Sequence, residues 1–314
     1  MSVETVEYAR PTARSFSGMQ RILFQPFSLS KWLILGFTAW LAGLLDGGGS
    51  GSIGGSGSDG SGKGGLTEKA SHFGDWVTEN LGIVIGIGSV VLIVALAAVV
   101  ALLWVSSRGK FMFLDNVVQN RAEVKTPWKR FRPLGNSLFR WKLVFGLIAF
   151  AAVFLIVGVA VPIGFLLPES AWMVFLLAAL AILPVVLVFA YVSILLEDFV
   201  IPLMYRSSLT TNQAWRQFFP LHRRSITTFI LYALWKVLLW IPVSIFLILL
   251  GVATCCVGFV LLAIPYVGAV FLLPISVFFR LLGPEFLKQF GPDLDVFPQP
   301  ASAVGDPPPL PGGV

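Results

Sequence analysis

The most unusual ionisable residue in the chain is Lys236, which stands eleven residues into a long apolar segment. A charge at the centre of a membrane helix costs about 2.5 to 3.5 kcal/mol, so it normally faces a countercharge or a wet cavity. Glu197 and Asp198, at the end of an earlier apolar segment, are the nearest candidate partners. We expect Lys236 to form a structural ion pair or to snorkel toward the headgroups; a polar transport pathway is the alternative.

The histidines and cysteines do not suggest a metal site or a nucleophile. His72 and His222 fall on opposite predicted sides of the membrane, and neither has a Cys or His at ligand spacing. Cys255 and Cys256 are adjacent, which excludes a disulfide framework and suits packing near a tight turn. No paired carboxylates or Ser-His set converge in the pattern, so we expect no enzyme activity, no metal and no cofactor.

One glycine-rich stretch has part of the spacing of a phosphate-binding loop. Gly57, Gly62 and Lys63 match, but Gly64 stands where a Ser or Thr would coordinate magnesium, and no strand precedes the stretch. Residues 47–65 contain 11 Gly and 5 Ser, the composition of a flexible linker. We therefore predict a flexible outer loop at 46–65.

Two segments share the order Trp, basic residue, any residue, Phe, any residue, Pro, Leu, beginning at Trp128 and at Trp215. Such segments suit the membrane interface, where aromatic rings lie at headgroup depth and basic side chains reach phosphates. Pro133 and Pro220 are predicted to end each amphipathic turn, so that the chain bends into the bilayer. The predicted lipid or partner interface consists of Trp128, Lys129, Arg130, Phe131, Arg132, Trp215, Arg216, Phe218, Arg223 and Arg224.

These amphipathic elbows indicate an internal repeat. A weaker echo at residues 24–27 precedes the first apolar segment, which gives three units of one elbow and two helices. Convergent interfacial chemistry is the alternative explanation of the shared pattern. Anionic lipid would bind the elbows electrostatically. Nucleic acid is not an expected partner, because no recognised reading module is present.

The long charge-free runs determine the predicted fold class. Asp, Glu, Lys and Arg are absent from residues 80–107, 143–168, 170–196 and 237–279, and a helix of about 20 apolar residues crosses a bilayer. We predict an all-α, polytopic transmembrane helix bundle of about six spans. The predicted spans are Leu29–Leu45, Leu81–Val105, Trp141–Leu167, Ala171–Leu196, Ile226–Leu250 and Val257–Phe279.

The distribution of Lys and Arg predicts the orientation. Nine basic residues lie between Arg108 and Lys142, whereas Lys63 and Lys69 are the only ones on the opposite predicted side. Basic residues are retained on the cytoplasmic side, so both termini should be cytoplasmic. The first span is expected to be an uncleaved anchor with Lys31 snorkelling; a cleaved signal peptide is the alternative.

Composition agrees with a membrane protein: 56% of the 314 residues are hydrophobic and only 12% are charged. A water-soluble domain has about 25% charged residues. The predicted organisation is a cytoplasmic segment at 1–28, a membrane domain at 29–282 with a basic cytoplasmic segment at 106–140, and a Pro-rich cytoplasmic tail at 283–314. Within that basic segment, Asp115 and Asn116 are expected to cap a helix.

Three segments are similar to segments of known proteins: residues 107–116 (SRGKFMFLDN), the basic elbow and residues 286–292 (FLKQFGP). The chain resembles a group of uncharacterised bacterial integral membrane proteins. It is also distantly similar to the membrane domain attached to some glycerophosphodiester phosphodiesterases. The acidic and histidine residues of the phosphodiesterase barrel have no counterpart here, so the resemblance implies a plasma-membrane protein without that hydrolase activity.

Two functions follow from these observations. The first is a non-enzymatic membrane scaffold or partner subunit, whose elbows bind anionic inner-leaflet lipid and which assembles with a protein partner or with itself. The second is a small permease or channel with a polar pathway near Lys236.

Overall fold

The structure is a computed structural model that describes residues 7–45, 80–254 and 257–297; these residues form helices and no strand. The all-helical prediction is therefore confirmed for this part of the chain. The predicted outer loop, His72, the two cysteines and the tail from residue 298 lie outside the described residues.

The helices follow one another with short connections. They are α1 (Ala9–Phe24), α2 (Leu29–Gly43), α3 (Leu81–Val118), α4 (Lys125–Arg130), α5 (Arg132–Leu166), α6 (Ala171–Leu195), α7 (Ile201–Ser207), α8 (Thr211–Arg224), α9 (Ile226–Ala253), α10 (Val257–Ala263), α11 (Pro265–Phe271) and α12 (Leu273–Leu287). A π-helix at Leu196–Val200 joins α6 to α7, and short 3-10 turns lie at Pro168–Ser170, Lys288–Phe290 and Pro292–Leu294.

Four continuous helical stretches of the described chain are long and apolar enough to cross a membrane, and a bent pair makes a fifth. They correspond to α3, α5, α6 with its extension through α7, and α9. Their apolar side chains point outward over many turns: Leu92 and Phe154 are both 68% exposed. Outward apolar surface of this extent is unfavourable in water and favourable in lipid. The bundle therefore has an apolar outer belt.

The structure does not confirm the count of six spans. Helix α2 has only 15 residues and is too short to cross about 30 Å of hydrocarbon by itself. The predicted last span is divided into α10, α11 and α12, and the axes on either side of Leu272 differ by 66°. Pro265 and Pro274 lie in the first turns of α11 and α12, where a proline does not interrupt the hydrogen bonding.

Several helices extend beyond the predicted spans into what the sequence suggested was a cytoplasmic segment. Helix α3 runs 13 residues past Val105, and α5 begins at Arg132 rather than at Trp141. Most of residues 106–140 is thus part of the bundle. The cause is that residues 111–114 are apolar and pack inside the protein, so their burial stabilises the continuation of the helix.

The buried core lies at one end of the bundle. We call this end the basal layer; it comprises the last turns of α3, helix α4, the first turns of α5 and α9, the π-helix, α7, α8, α12 and α1. Phe199 in the π-helix is fully buried and contacts the rings of Phe218, Tyr232 and Phe286 at centroid distances of 5.5, 4.8 and 5.9 Å. Because these rings come from four separate elements, their packing fixes the ends of the long helices relative to one another.

Helix α1 was not predicted from the sequence. It is amphipathic, and it packs on α12 through buried residues that include Met19 and Leu23. The expectation that Lys31 snorkels to headgroups is wrong. Its ammonium group donates to the Ile22 carbonyl at 2.5 Å and to the Asn120 side-chain oxygen at 2.6 Å. A cation at the carbonyl end of α1 stabilises that helix and ties it to the end of α3.

Candidate functional site

A group of charged side chains lies inside the bundle, next to the basal layer. We call it the charge cluster; its members are Lys110, Lys142, Glu197, Asp198, Lys236 and Arg280. They come from five elements: α3, α5, the π-helix, α9 and α12.

Glu197 connects two of these helices. Its Oε1 atom accepts a hydrogen bond from the Lys110 ammonium group, and it accepts a second from Lys142 at 3.2 Å. The Lys110 side chain is only 2% exposed. A buried ammonium group is strongly destabilising unless it is paired, so Glu197 is what allows Lys110 to occupy this position.

Asp198 binds the intramembrane lysine. Its carboxylate accepts hydrogen bonds from Lys236 at 2.6 and 2.8 Å and from the Tyr232 hydroxyl at 2.9 Å. The structure thus places Lys236 in an ion pair with one of the two acids considered as partners in the sequence. Glu197 and Asp198 are consecutive and project from different sides of the π-helix, which is why they bind cations of different helices.

Arg280 completes the cluster from α12. Its Nη2 atom donates to the Lys110 carbonyl oxygen at 2.6 Å, which links α12 to α3. Within the described ranges, no three His, Cys, Asp or Glu side chains come together as they would around a metal ion. The cluster combines three lysines and one arginine with two carboxylates.

Two cavities adjoin the cluster. One has a volume of about 330 Å³ and is lined by Lys110, Glu197, Asp198, Lys236 and Arg280 together with apolar side chains. The other has a volume of about 390 Å³, lies toward α5 and α6, and is lined by Lys142 as well as by Glu197 and Lys236. The same acid and the same lysine thus form part of both cavity walls.

Another buried cation, Arg108, lies two residues before Lys110 in α3. The Arg108 guanidinium carbon is 4.0 Å from the ring centroid of Trp104 and 5.2 Å from that of Trp128. Arg108 donates to the Asn136 side-chain oxygen at 3.0 Å, and the Trp104 indole donates to the same oxygen at 3.2 Å. Cation–π contacts of this kind are worth most where water is excluded, so the group fastens α3 to α4 and α5.

Asp115 and Asn116 do not cap a helix, because α3 continues through them to Val118. The fully buried Asp115 carboxylate accepts hydrogen bonds from Arg121 and from the Tyr205 hydroxyl, the latter at 2.9 Å. The hydrogen bond with Asp115 raises the pKa of the Arg121 guanidinium. Asn116 exchanges two hydrogen bonds with the backbone of Glu123. Both residues therefore hold the turn after α3 in place.

The predicted interface residues separate into two sets. The basic side chains are exposed: Lys129, Arg130, Arg132, Arg216, Arg223 and Arg224. The aromatic ones pack inward instead. Phe131 contacts Phe111 at 6.2 Å and Phe218 contacts Phe199 at 5.5 Å, while Trp128 and Trp215 are half-buried. The basal layer thus presents basic groups outward over an aromatic interior.

The two prolines of the elbows do not act as the sequence suggested. Pro133 lies in the first turn of α5, where its missing N–H costs nothing, and so it begins a helix. Pro220 lies inside α8, which continues to Arg224. The first elbow is divided at Phe131 between two helices, whereas the second forms one amphipathic helix of 14 residues. The structure does not confirm the repeat.

Sequence reasoning missed half of the charge cluster. Lys110, Lys142 and Arg280 were counted as basic residues of cytoplasmic segments that fix orientation. A signal was present for Lys110, which directly precedes the apolar residues 111–114, and such a position is typical of helix rather than of a loop. Arg280 directly follows an apolar run of 43 residues and gave no sign that it turns toward α3.

The long apolar helices, the outward apolar belt and the paired interior charges are those of a membrane-spanning helical protein. Residues 13–290 match the profile of a family of unknown function (DUF7544). The chain therefore belongs to this family, in keeping with its resemblance to uncharacterised membrane proteins. No curated protein and no solved structure matches it, and the comparisons show no link to phosphodiesterase membrane domains.

Proposed function

We propose that the protein is a non-enzymatic scaffold or partner subunit of a bacterial inner membrane, whose basal layer holds anionic lipid on the cytoplasmic side. One observation carries this proposal. The six basic residues of the two elbows are exposed on the basal layer, immediately beyond the apolar belt. With this orientation both termini are cytoplasmic, as the distribution of Lys and Arg also indicates.

The geometry of α8 supports a membrane-facing role. Arg216, Arg223 and Arg224 lie on its exposed face, and Phe218 anchors the opposite face in the core. Each basic residue near an anionic surface contributes about 1 kcal/mol of attraction without a specific pocket. Anionic lipid would thus collect around the basal layer rather than occupy a single site there.

The test compares lipid preference in nanodiscs that contain phosphatidylcholine and phosphatidylglycerol. Replacing Arg216, Arg223 and Arg224 by Gln should weaken the enrichment of phosphatidylglycerol by up to about a hundredfold, since three charges are lost. Replacing the same three residues by Lys keeps the charge and should preserve the enrichment. The proposal fails if wild-type protein shows no preference, or if the Gln and Lys variants behave alike.

A small permease or channel is the second candidate function. The observation in its favour is that both cavities, of about 330 and 390 Å³, are lined by Glu197 and Lys236. Charged side chains inside a membrane domain commonly mark an ion or substrate pathway, and such a pathway would run past these two residues. A cysteine at position 236, in a background without Cys255 and Cys256, would be labelled by membrane-impermeant reagents from both sides of sealed vesicles. Labelling from the basal side alone, or none, argues against a pathway.

We also infer the three-unit repeat, with the first span counted in the first unit. Its support is a spacing: Phe111, Phe199 and Phe286 are 88 and 87 residues apart, and each follows a charged residue near the end of a long helix. All three are buried in one core. In two units the elbow phenylalanine packs on this helix-end phenylalanine, as Phe131 does on Phe111.

A further inference from the structure

The cavity of about 330 Å³ adjoins a third cavity that lacks charged groups. The third cavity has a volume of about 290 Å³ and lies between α9, α10, α11 and α12. Leu247, Leu272 and Ile275 line both cavities, so the two share a wall. A charged compartment and an apolar compartment therefore lie side by side in the bundle.

The charged compartment favours an anion. Its wall carries Lys110, Lys236 and Arg280 against Glu197 and Asp198, so the formal charges of these lining residues sum to +1. Lys142, which also bonds Glu197, adds another positive charge on the far side of that carboxylate. Surrounding apolar side chains such as Phe113 and Phe279 lower the local dielectric, which strengthens attraction to a bound negative group.

The two compartments follow one another along α9, from the charge cluster toward the far end of that helix. Lys236 lies 17 residues from the end of α9 at Ala253, a distance of about 25 Å along the helix. It therefore lies toward one edge of a hydrocarbon layer about 30 Å thick. Gly251 and Thr254 line the apolar compartment, which thus extends from the cluster toward the opposite end of α9.

The surface beside the charged compartment offers a lateral entrance. Val237 and Trp240 belong to its wall and are also 55% and 38% exposed on the apolar belt. A ligand held in the bilayer could enter from the side of the bundle without crossing an aqueous phase. Trp residues are favoured at the depth of lipid headgroups, where an apolar ring also offers a polar edge.

We propose that the charged compartment binds the phosphate group of a membrane phospholipid, with one acyl chain in the apolar compartment. Lys110, Lys236 and Arg280 would contact the phosphate, and Leu247, Leu272 and Ile275 would contact the chain. The inference does not rest on the exposed basic residues of the elbows. A free phosphate ion has the same headgroup chemistry but would not use the apolar compartment.

Native mass spectrometry of the full chain, purified from phosphatidylglycerol-containing membranes into detergent, tests the proposal. Wild-type protein should retain phosphatidylglycerol. Arg280→Gln should lower its apparent affinity about tenfold or more, because a charged hydrogen-bond donor is lost, whereas Arg280→Lys should retain it. Leu262→Trp, at a position that lines the apolar compartment alone, should expel the lipid by filling that compartment while leaving every charge in place.

Two further measurements separate this site from the other sources of binding. Replacing Arg216, Arg223 and Arg224 by Gln removes lipid gathered at the elbows but should leave the one phospholipid held in the compartments, because these residues line neither compartment. Isothermal titration of delipidated protein with inorganic phosphate tests the free ion. The proposal is overturned if wild-type protein retains no phospholipid, if Arg280→Gln retains it as Arg280→Lys does, or if inorganic phosphate binds while phosphatidylglycerol does not.

Discussion

The backbone of Gly283 in α12 lies directly against the backbone of Asp198 in the π-helix. A Cβ atom at position 283 would come within 3.0 Å of the carbonyl oxygen, the carbonyl carbon and the α-carbon of Asp198. The contact is between two backbones, so no flexible side chain can move aside. Glycine at this position therefore determines how closely α12 approaches the segment that carries both acids of the charge cluster.

Replacing Gly283 by Ala should consequently destabilise the protein. The added methyl group forces α12 away from the π-helix, and overpacking of this kind costs about 1 to 3 kcal/mol or more. Gly146→Ala is the matched control, since nothing lies within 4 Å of its Cβ position in α5. Thermal unfolding in detergent should show a lower midpoint for the first variant alone. Equal midpoints would mean that the two backbones are not in contact.

The ion pair between Lys236 and Asp198 should contribute measurably to stability. Lys236→Met leaves a buried carboxylate without its cation, a change that typically costs about 3 to 5 kcal/mol. Adding Asp198→Asn removes the unpaired charge, so the double variant should regain most of that loss. A double-mutant cycle in detergent measures the coupling. Arg10→Met breaks an exposed pair with Glu7 and should cost less than about 1 kcal/mol. Additive effects at 198 and 236 would contradict the pairing.

Much of the fold could be predicted from the sequence because long charge-free runs have few structural solutions. The stretches 80–107, 143–168 and 170–196 all form helices, as a membrane environment requires. The residues at which the helices end were harder to predict. Whether α3 stops near Val105 or continues to Val118 depends on what residues 111–114 pack against; the local pattern shows that these residues are apolar but not which helices bury them.

The candidate site was only partly visible in the sequence for a related reason. Lys236 stands out because it interrupts a long apolar segment, and Glu197 and Asp198 are the acids at the end of another. Their pairing depends on how α9 approaches the π-helix, which composition does not encode. Lys110 and Arg280 were missed because each lies at the edge of an apolar run, where a basic residue is ordinarily an orientation signal.

The aromatic contacts of the two elbows predict a matched pair of effects. Phe131→Ala and Phe218→Ala each remove a buried ring that packs on the end of a long helix, and such truncations cost about 3 to 5 kcal/mol. If the elbows are repeats of one unit, the two losses should be similar. Phe154→Ala, at a position 68% exposed on the apolar belt, is the control and should have little effect on the unfolding midpoint. A large loss in only one elbow would argue against the repeat.

The environment of His222 predicts a pH dependence. Its ring lies among the rings of Tyr191, Phe218 and Phe229, and its Nδ1 atom is buried without a hydrogen-bond partner in the described part of the chain. Burial lowers the pKa of His222 from its ordinary value near 6.5. At a pH between the lowered pKa of the folded state and the ordinary pKa of the unfolded chain, the unfolded chain binds the proton and the folded chain does not.

Stability should therefore rise with pH through this interval. The contribution of the neutral His222 ring to stability is fully present above about pH 6.5, and it is lost as the pH falls through the lowered pKa of the folded state. The unfolding midpoint measured from pH 5 to pH 8 should decline on the acidic side in wild-type protein, and His222→Phe should reduce that decline because no proton can bind the ring. His72→Gln removes the only other histidine of the chain and should leave the decline unchanged. If His222→Phe keeps the full acidic decline while His72→Gln abolishes it, the titrating group is not His222.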